Sequence, residues 1–310
     1  MFREKEICDA IRTAYLHLFP DKKERKRALS RLDLELVAQG IRYRGESVLA
    51  YQTSGSHERA LDYYGPELFP QRGCCIYQKT VQSHSTQVDA ACIRELAREY
   101  TGKMRIYIGI EHDYYYPVRH REAMDYIIGS VHEIQPPEGE RRYIIDGPKA
   151  IAEACREEAF GGDGLAMAEY FYEITARNAE QYRPEIIGHF DLIVKNNSDG
   201  SLFDEQHPRY RRAALEALHR CLDTGAVFEL NTGGIFRGYR QSPYPDVFLL
   251  RELLACGGRV TVNADAHETA AINFRFQESL ELLEAIGYRS VWIWENGGFV
   301  ERDIAGVRRR

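Results

Sequence analysis

The feature that most constrains the fold of this chain is a regular alternation of strand-like and helix-like segments from about residue 74 onward. Short runs of apolar and β-branched residues, such as 125–131 and 259–264, alternate with longer amphipathic stretches, such as 208–224. Glycines such as Gly225 and Gly287 separate a predicted helix from the strand that follows it. This pattern is typical of helices packed around a parallel sheet or barrel. We therefore predict an α/β fold.

The first 73 residues lack this alternation. Residues 5–19 and 22–39 have helical character, 47–53 has the character of a strand, and the proline- and glycine-containing stretch 63–73 is a predicted loop. We therefore predict two regions. Residues 1–73 form an atypical helical and loop segment, and residues 74–310 form the α/β barrel domain.

Five predicted strands each run into a side chain of a metal-ligand type. The residues at or just past these strand ends are Glu111, His132, His189, Asn231 and the pair Asp265 and His267. Since the carboxyl ends of parallel strands meet at one face of a sheet or barrel, we expect these side chains to converge. Carboxylate and imidazole groups together are ligands of zinc, iron or manganese. The series therefore predicts a divalent metal site.

Each strand end also has an ordinary structural explanation when it is considered alone. His132 fits a structural histidine whose hydrogen bonds are satisfied, and Asp265 fits a helix N-cap, with His267 incidental. On strand 104–110 and its continuation, Glu111 and Asp113 should lie on one side and His112 on the other. Asp191 fits either a hydrogen-bonding partner of a metal ligand or a helix cap.

The loop 231–240 contains three glycines together with Arg237 and Arg240. A glycine-rich turn with a nearby guanidinium group can bind a phosphate, and an ordinary surface loop is the alternative. Arg237 is the better candidate because it is nearer the strand end. His207 precedes a predicted helix and is interpreted first as a cap and second as a substrate contact. Several tyrosines could line a pocket or pack the rim of the barrel: Tyr114, Tyr115, Tyr116, Tyr239 and Tyr244.

Composition argues against several classes of partner. The net charge of the 310-residue chain is −6, with +4 in residues 1–45 and −10 in the remainder. An acidic body is not expected to bind nucleic acid. The seven cysteines form no C-x-x-C pair, and we find no signal-peptide core and no membrane-spanning apolar run. We therefore expect a cytoplasmic protein without a membrane partner, with most thiols buried and reduced.

Taken together, these motifs resemble the polymerase-and-histidinol-phosphatase (PHP) family of metal-dependent phosphoesterases. The resemblance extends from about Cys92 to Phe299 and is greatest to the monofunctional histidinol-phosphate phosphatases of histidine biosynthesis. The motifs that carry it are GIEHDYY at 109–115, YIIGSVH at 126–132, IGHFD at 187–191, ELNTGG at 229–234 and NADAH at 263–267.

The resemblance implies a distorted (β/α)7 barrel of the PHP type and a cluster of one to three divalent ions, which are Zn, Mn or Fe. It further implies a small phosphorylated metabolite as the substrate. The implied metal ligands are Glu111, His132, His189, Asp265 and His267. The implied catalytic residues are Asp265, His267 and Arg237, and the substrate contacts are Arg237, Arg240 and His207.

The N-terminal third departs from the family pattern. The family opens with an H-x-H pair at the end of its first strand, and this sequence contains no H-x-H. The best first strand, 47–52, ends at Gln52, whereas His84 is a candidate for the second family motif. Three explanations compete: divergence with loss of one metal, replacement of the first barrel units by an unrelated segment, or a frameshift or mistaken start in the gene.

Two functions are consistent with the family resemblance and with the missing H-x-H pair. The first is hydrolysis of L-histidinol phosphate, or a related phosphomonoester, by metal-activated water. The second is a catalytically weakened or inactive relative that binds a phosphorylated metabolite or a protein partner. A phosphodiesterase or nuclease of the same family is a third interpretation, which the acidic body disfavours.

Overall fold

The computed structural model describes residues 105–116, 121–139, 141–267 and 271–308, together with 94, 97–98, 101 and the backbone of 46–52. Its centre is a six-stranded sheet in the order β1-β2-β3-β6-β7-β8. All neighbouring pairs in this sheet are parallel. The strands of the sheet are β1 (Glu46–Gln52), β2 (Arg105–Asp113), β3 (Tyr126–Ser130), β6 (Ile186–Ile187), β7 (Val227–Asn231) and β8 (Val260–Asn263).

Two antiparallel hairpins accompany the sheet, and neither follows from the predicted βα alternation. One is formed by β4 (Glu133–Ile134) and β5 (Tyr143–Ile144). The other is formed by β9 (Ser290–Glu295) and β10 (Gly298–Asp303). Among the described residues, β9 pairs in its hairpin and not with the parallel sheet.

Helices connect the strands, and the predicted helix at 208–224 is confirmed by the helix Pro208–Asp223. The predicted loop 231–240 instead contains a short helix, Gly233–Phe236. The α-helices are α1 (Lys149–Phe160), α2 (Gly164–Tyr182), α3 (Pro208–Asp223), α4 (Gly233–Phe236), α5 (Val247–Ala255), α6 (Phe276–Ile286) and α7 (Ile304–Arg308). The Asp163 carboxylate caps α2 by accepting from the Ala166 N–H at 3.0 Å, and the Asp246 carboxylate caps α5 in the same way. Short polar side chains of this kind satisfy the first helical N–H groups.

The two faces of the sheet bury different sets of residues. The larger core packs the helices against one face and includes Phe171, Leu218, Phe228 and Leu250. A smaller cluster of Tyr126, Ile128, Ile186 and Trp294, with Tyr107 and Phe299 against it, covers the other face. Because alternate residues of a strand face opposite ways, the second face also carries the polar residues further along β2 and β3.

The predicted α/β barrel class is confirmed, as the comparison with known structures below shows. The strand character of 47–53 is confirmed by β1, which pairs with β2 in parallel. The boundary between 1–73 and 74–310 stays a prediction. The other helices and loops expected in 1–73 lie outside the described residues. Within the described ranges, none of the helices is long and apolar enough to cross a membrane.

Candidate metal centre

Three buried side chains meet at the carboxyl edge of the sheet. The Glu111 Oε1 atom of β2 lies 3.0 Å from His132 Nε2 and 3.0 Å from His189 Nε2, and the two Nε2 atoms lie 3.1 Å apart. All three side chains are buried. Two ring nitrogens that face each other at this distance cannot both carry a hydrogen. The triangle therefore holds either shared protons or a cation.

The donor set and its spacing fit a divalent metal ion. Zinc takes histidine nitrogens and carboxylate oxygens at about 2.0–2.2 Å, so the edges of a tetrahedral site measure roughly 3.3–3.5 Å. The observed edges of 3.0–3.1 Å are shorter by a few tenths of an ångström. Small side-chain torsions can open the triangle by that amount. Glu111, His132 and His189 therefore form a candidate metal-binding triad.

Strand register brings the three ligands together. Glu111 pairs with Ile128 on β3, and Gly129 pairs with Ile187 on β6. The ends of the three strands therefore stand side by side. Glu111 lies two residues before the end of β2, and His132 and His189 each lie two residues past the end of their strands. Gly188 is required for this close approach, because a Cβ there would lie 2.3 Å from Ser130 Oγ. The Ser130 hydroxyl in turn donates to Glu111 Oε1 at 2.9 Å.

Asp113 holds the imidazole of His132 in place. Its Oδ2 atom accepts from the backbone N–H of His132 at 2.8 Å and lies 3.1 Å from His132 Nδ1. This leaves Nε2 directed at Glu111, which is the carboxylate–histidine arrangement that supports metal ligands in proteins. The prediction that Glu111 and Asp113 share one side is confirmed. His112 lies on the other side, where its ring packs 4.2 Å from that of Tyr182 on α2.

The protonation of the triad follows from its charges. Burial alone would raise the pKa of Glu111, but His132 and His189 outweigh burial and lower that pKa well below its ordinary value. Burial alone would lower the pKa of His132, but Glu111 and Asp113 raise it well above its ordinary value. Metal ions bind these side chains in their deprotonated forms, so metal binding at the triad competes with protons.

Glu229 links the strands around His189 through hydrogen bonds. Its Oε1 accepts from the His189 backbone N–H at 2.6 Å and from Asn231 Nδ2 at 2.7 Å, and its Oε2 accepts from Asn263 Nδ2 at 2.7 Å. Burial raises the pKa of this carboxyl. The Asn231 side chain, at one of the five predicted strand ends, therefore contacts Glu229. In the same way Asp191 accepts from the Asp246 backbone N–H at 2.9 Å, at the start of α5.

A second group stands after β8. Arg237 donates through Nη2 to Asp265 Oδ2 at 2.6 Å, and its Nη1 lies 3.0 Å from the Asp265 carbonyl and 3.2 Å from His267 Nδ1. Asp265 adopts a left-handed backbone with φ of 46°. Burial raises its pKa, and Glu111 adds to that effect while Arg237 opposes it. The two groups are therefore electrostatically connected, although Asp265 is not one of the three clustered donors.

The remaining predicted contacts have structural partners. Arg240 forms an ion pair with Glu205 at 3.1 and 3.2 Å. His207 caps α3 by accepting from the Arg209 N–H at 3.1 Å, so the cap interpretation is confirmed. Whether Arg240 and His207 also contact a substrate stays a prediction. His84 lies outside the described residues.

The predicted tyrosines differ in their contacts. The Tyr115 hydroxyl accepts from the Gln135 N–H at 2.7 Å, and the Tyr116 hydroxyl donates to Glu133 at 2.7 Å. Tyr114 packs edge-on against Tyr115, with ring centroids 5.0 Å apart. The Tyr244 hydroxyl, by contrast, is buried and has no hydrogen-bond partner among the described residues.

Sequence reasoning missed one acidic residue near the site. Asp146 follows β5 and accepts from Lys195 Nζ at 2.6 Å. Burial would raise the pKa of Asp146, but Lys195, His132 and Arg237 lower it, which places Asp146 within electrostatic range of both groups. Its signal is an apolar run, YII at 143–145, that ends in Asp146 and Gly147. That pattern matches the other strand ends but is shorter.

The parallel α/β sheet and its buried triad define the class of the protein as an α/β barrel with a candidate metal centre. Its fold is shared with the crystal structure of the putative histidinol phosphatase HisK from Listeria monocytogenes, with a TM-score of 0.60 and 14% identity over 79% of this chain and 92% of that chain. HisK from Lactococcus lactis, solved in complex with zinc, L-histidinol and phosphate, aligns with a TM-score of 0.47 and 15% identity over 83% and 99% of the two chains.

Sequence comparison gives the nearer relationship. The chain is 23% identical over 279 residues to a probable histidinol-phosphatase of Schizosaccharomyces pombe, covering 85% of this chain and 84% of the relative. It is 27% identical over 206 residues to a probable histidinol-phosphatase of Deinococcus radiodurans, covering 64% and 72%. No family model matches the sequence. The chain is thus similar to two proteins named probable histidinol-phosphatase, and the predicted resemblance is confirmed.

Proposed function

We propose that this protein is a metal-dependent phosphomonoester hydrolase that converts L-histidinol phosphate and water into L-histidinol and phosphate. The observation that carries the proposal is the buried triangle of Glu111, His132 and His189, whose donor atoms lie 3.0–3.1 Å apart. The two relatives named probable histidinol-phosphatase support this choice of substrate.

The proposed chemistry divides between the ion and the chain. When bound, a divalent ion supplies Lewis-acid polarisation of a phosphoryl oxygen and a water-derived nucleophile at neutral pH. The residues proposed to hold it are Glu111, His132 and His189, with Asp265 and His267 as further ligands. Asp113 orients the His132 ring, and Glu229 fixes the backbone of His189. Because these supports are buried, they exclude water from the back of the site.

Arg237 is the proposed phosphate contact. Burial would lower the pKa of its guanidinium, but the Asp265 carboxylate outweighs burial and raises it, so the group is always charged. A planar guanidinium with two donors suits a phosphate better than an ammonium does. In the structure Nη1 contacts the Asp265 carbonyl and His267 Nδ1, and Nη2 contacts the Asp265 carboxylate. Substrate binding therefore requires Arg237 to share or exchange these acceptors. Arg240 and His207 remain proposed secondary contacts.

One metal ion per chain is the number that the triad supports. The β1 strand ends at Gln52, which pairs with Glu111 in the parallel ladder. The histidine pair of the family is missing at that strand end. This departure favours a second candidate function, a weakened relative that binds a phosphorylated metabolite without rapid turnover. We further propose that residues 74–310 form the catalytic domain, with β1 completing its sheet at one edge. We also propose that the protein acts in the cytoplasm without nucleic-acid partners.

Phosphate release from L-histidinol phosphate tests the proposal. The protein is stripped with a chelator, reloaded with Zn²⁺, Mn²⁺ or Fe²⁺, and assayed beside the variants His189→Asn and His219→Asn. His219 is an exposed histidine on α3 and serves as the matched control. We expect activity that needs metal, survives in His219→Asn and falls by at least about a hundredfold in His189→Asn. Tight binding of the substrate without phosphate release under any metal would favour the second candidate.

A further inference from the structure

A second cluster of metal-ligand side chains lies on the surface, on helices away from the sheet edge. His219 of α3 and Glu252 of α5 lie with Nε2 and Oε1 2.7 Å apart. The Cys256 thiol sulfur, at the end of α5, lies 3.7 Å from the same His219 Nε2 and 3.6 Å from the same Glu252 Oε1. One imidazole, one carboxylate and one thiol therefore converge on a single point.

The distances to sulfur match a tetrahedral zinc site. Zinc–sulfur bonds of about 2.3 Å and zinc–nitrogen or zinc–oxygen bonds of about 2.0–2.2 Å give sulfur-to-nitrogen and sulfur-to-oxygen edges of roughly 3.6 Å. The observed sulfur distances are 3.7 and 3.6 Å. Only the nitrogen–oxygen edge, at 2.7 Å, is shorter than the roughly 3.4 Å expected. The Glu252 side chain is only partly buried, at 34% exposure, and has room to move back.

The scaffold beneath the cluster is rigid. Glu252 and Cys256 are four residues apart and lie on the same face of α5. The neighbouring residues Leu218 on α3 and Leu253 on α5 are fully buried in the core that joins the two helices. The backbones that carry the three donors are therefore fixed by packing, so little ordering is needed for metal binding.

The arrangement does not suit an activated cysteine nucleophile. In such a site a carboxylate holds one ring nitrogen of the histidine, and the nucleophile contacts the other. Here both Glu252 and Cys256 approach Nε2 of His219. Convergence of several donors on one ring nitrogen is what a metal ion produces.

We propose that His219, Glu252 and Cys256 form a zinc site separate from the triad. Three protein donors leave a fourth position for water or an exogenous anion. Binding releases the thiol proton to solvent, so that thiolate, imidazole nitrogen and carboxylate oxygen become the ligands. The ion joins α3 to α5 on the outside of the barrel. The site takes a borderline-soft cation, and magnesium or calcium should not bind there.

Protection of Cys256 from alkylation tests the site directly. The full-length protein is treated with iodoacetamide at a series of free Zn²⁺ concentrations, and modification of the Cys256 peptide is followed by mass spectrometry. The variants are His219→Ala, which keeps the thiol but removes a ligand, and His189→Ala, which alters only the triad. Magnesium replaces zinc in a parallel series.

We expect zinc to slow alkylation of Cys256 by at least about tenfold in the wild type and in His189→Ala, because a metal-bound thiolate is no longer free to react. His219→Ala should need at least about a hundredfold more zinc for the same protection. Equal protection in His219→Ala and wild type, protection by magnesium, or no protection in the wild type would each overturn the proposal. Because the readout is the Cys256 peptide, it is independent of phosphatase activity.

Discussion

Replacing Asp113 by asparagine tests whether the metal centre depends on residues behind the ligands. The variant keeps the size of the side chain and an oxygen that can accept from the His132 backbone N–H, a bond of 2.8 Å in the structure. It removes the negative charge that faces His132 Nδ1 at 3.1 Å. His132 then keeps its position but loses the charged partner that fixes its ring and tautomer.

The size of the effect follows from these two contacts. A hydrogen bond to a charged group contributes about 1.5–3 kcal/mol, and a neutral one about 0.5–1.5 kcal/mol. Exchanging the charged acceptor at Nδ1 for a neutral one should therefore cost about 1–2 kcal/mol of metal-binding free energy. This corresponds to a zinc affinity lower by roughly 5–30-fold, similar to the effect of removing other partners of metal-bound histidines.

Competition with a chromophoric chelator measures the zinc dissociation constant of the stripped protein. His219→Ala serves as the background in every variant, so that only the triad is titrated. The matched control is Glu133→Gln on β4, a carboxylate that is equally buried and accepts from Tyr116. If Asp113→Asn binds zinc within about twofold of the background protein, or if Glu133→Gln weakens binding as much, Asp113 does not support the metal as argued.

Three further outcomes are expected. Gly188→Ala should lower the free energy of unfolding by about 1–3 kcal/mol in a urea titration, because the new Cβ would lie 2.3 Å from Ser130 Oγ. The control Gly298→Ala should change it little, because beyond its chain neighbours no described residue has an atom within 4 Å of the new Cβ. Arg237→Lys should lower kcat/KM for L-histidinol phosphate by about 10–100-fold, because one ammonium cannot replace the two-donor fork, and an unchanged kcat/KM in a steady-state assay would remove Arg237 from the phosphate site. Burial raises the pKa of the Cys155 thiol to about 12, so its alkylation by iodoacetamide at pH 8 should be negligible in the folded protein, and rapid labelling in native buffer would contradict its burial.

The sequence was sufficient to predict the elements on which the centre is built. Helix α3, Pro208–Asp223, agrees within one residue with the predicted helix at 208–224, because hydrophobic period and capping are local signals. The candidate ligands Glu111, His132 and His189 were identified because each follows a predicted apolar strand, although β2 itself continues to Asp113. Their convergence follows from the register of the strands, because the carboxyl ends of neighbouring parallel strands meet at one edge of the sheet.

The rest depends on contacts between residues distant in sequence. The hairpin of β9 and β10 pairs Ser290–Glu295 with Gly298–Asp303 around a tight turn, and this pairing competes with the parallel sheet for the same strand. The βα alternation in the sequence does not show whether this strand pairs in a hairpin or with the parallel sheet. In the same way Asp146 gave only a weak signal, since the two-residue strand β5 before it is too short to be identified by its period.

The register of β1 shows where the missing ligand pair would be restored. Ala50 and Gln52 are matched in the ladder with Gly109 and Glu111. The two positions are separated by one residue, which is the spacing of an H-x-H pair, and they stand at the level of the sheet where the triad begins. An H-x-H pair at the end of β1 would occupy these two alternate positions on an edge strand. In a variant with Ala50→His and Gln52→His, metal stoichiometry and turnover would show directly what the missing histidine pair contributes.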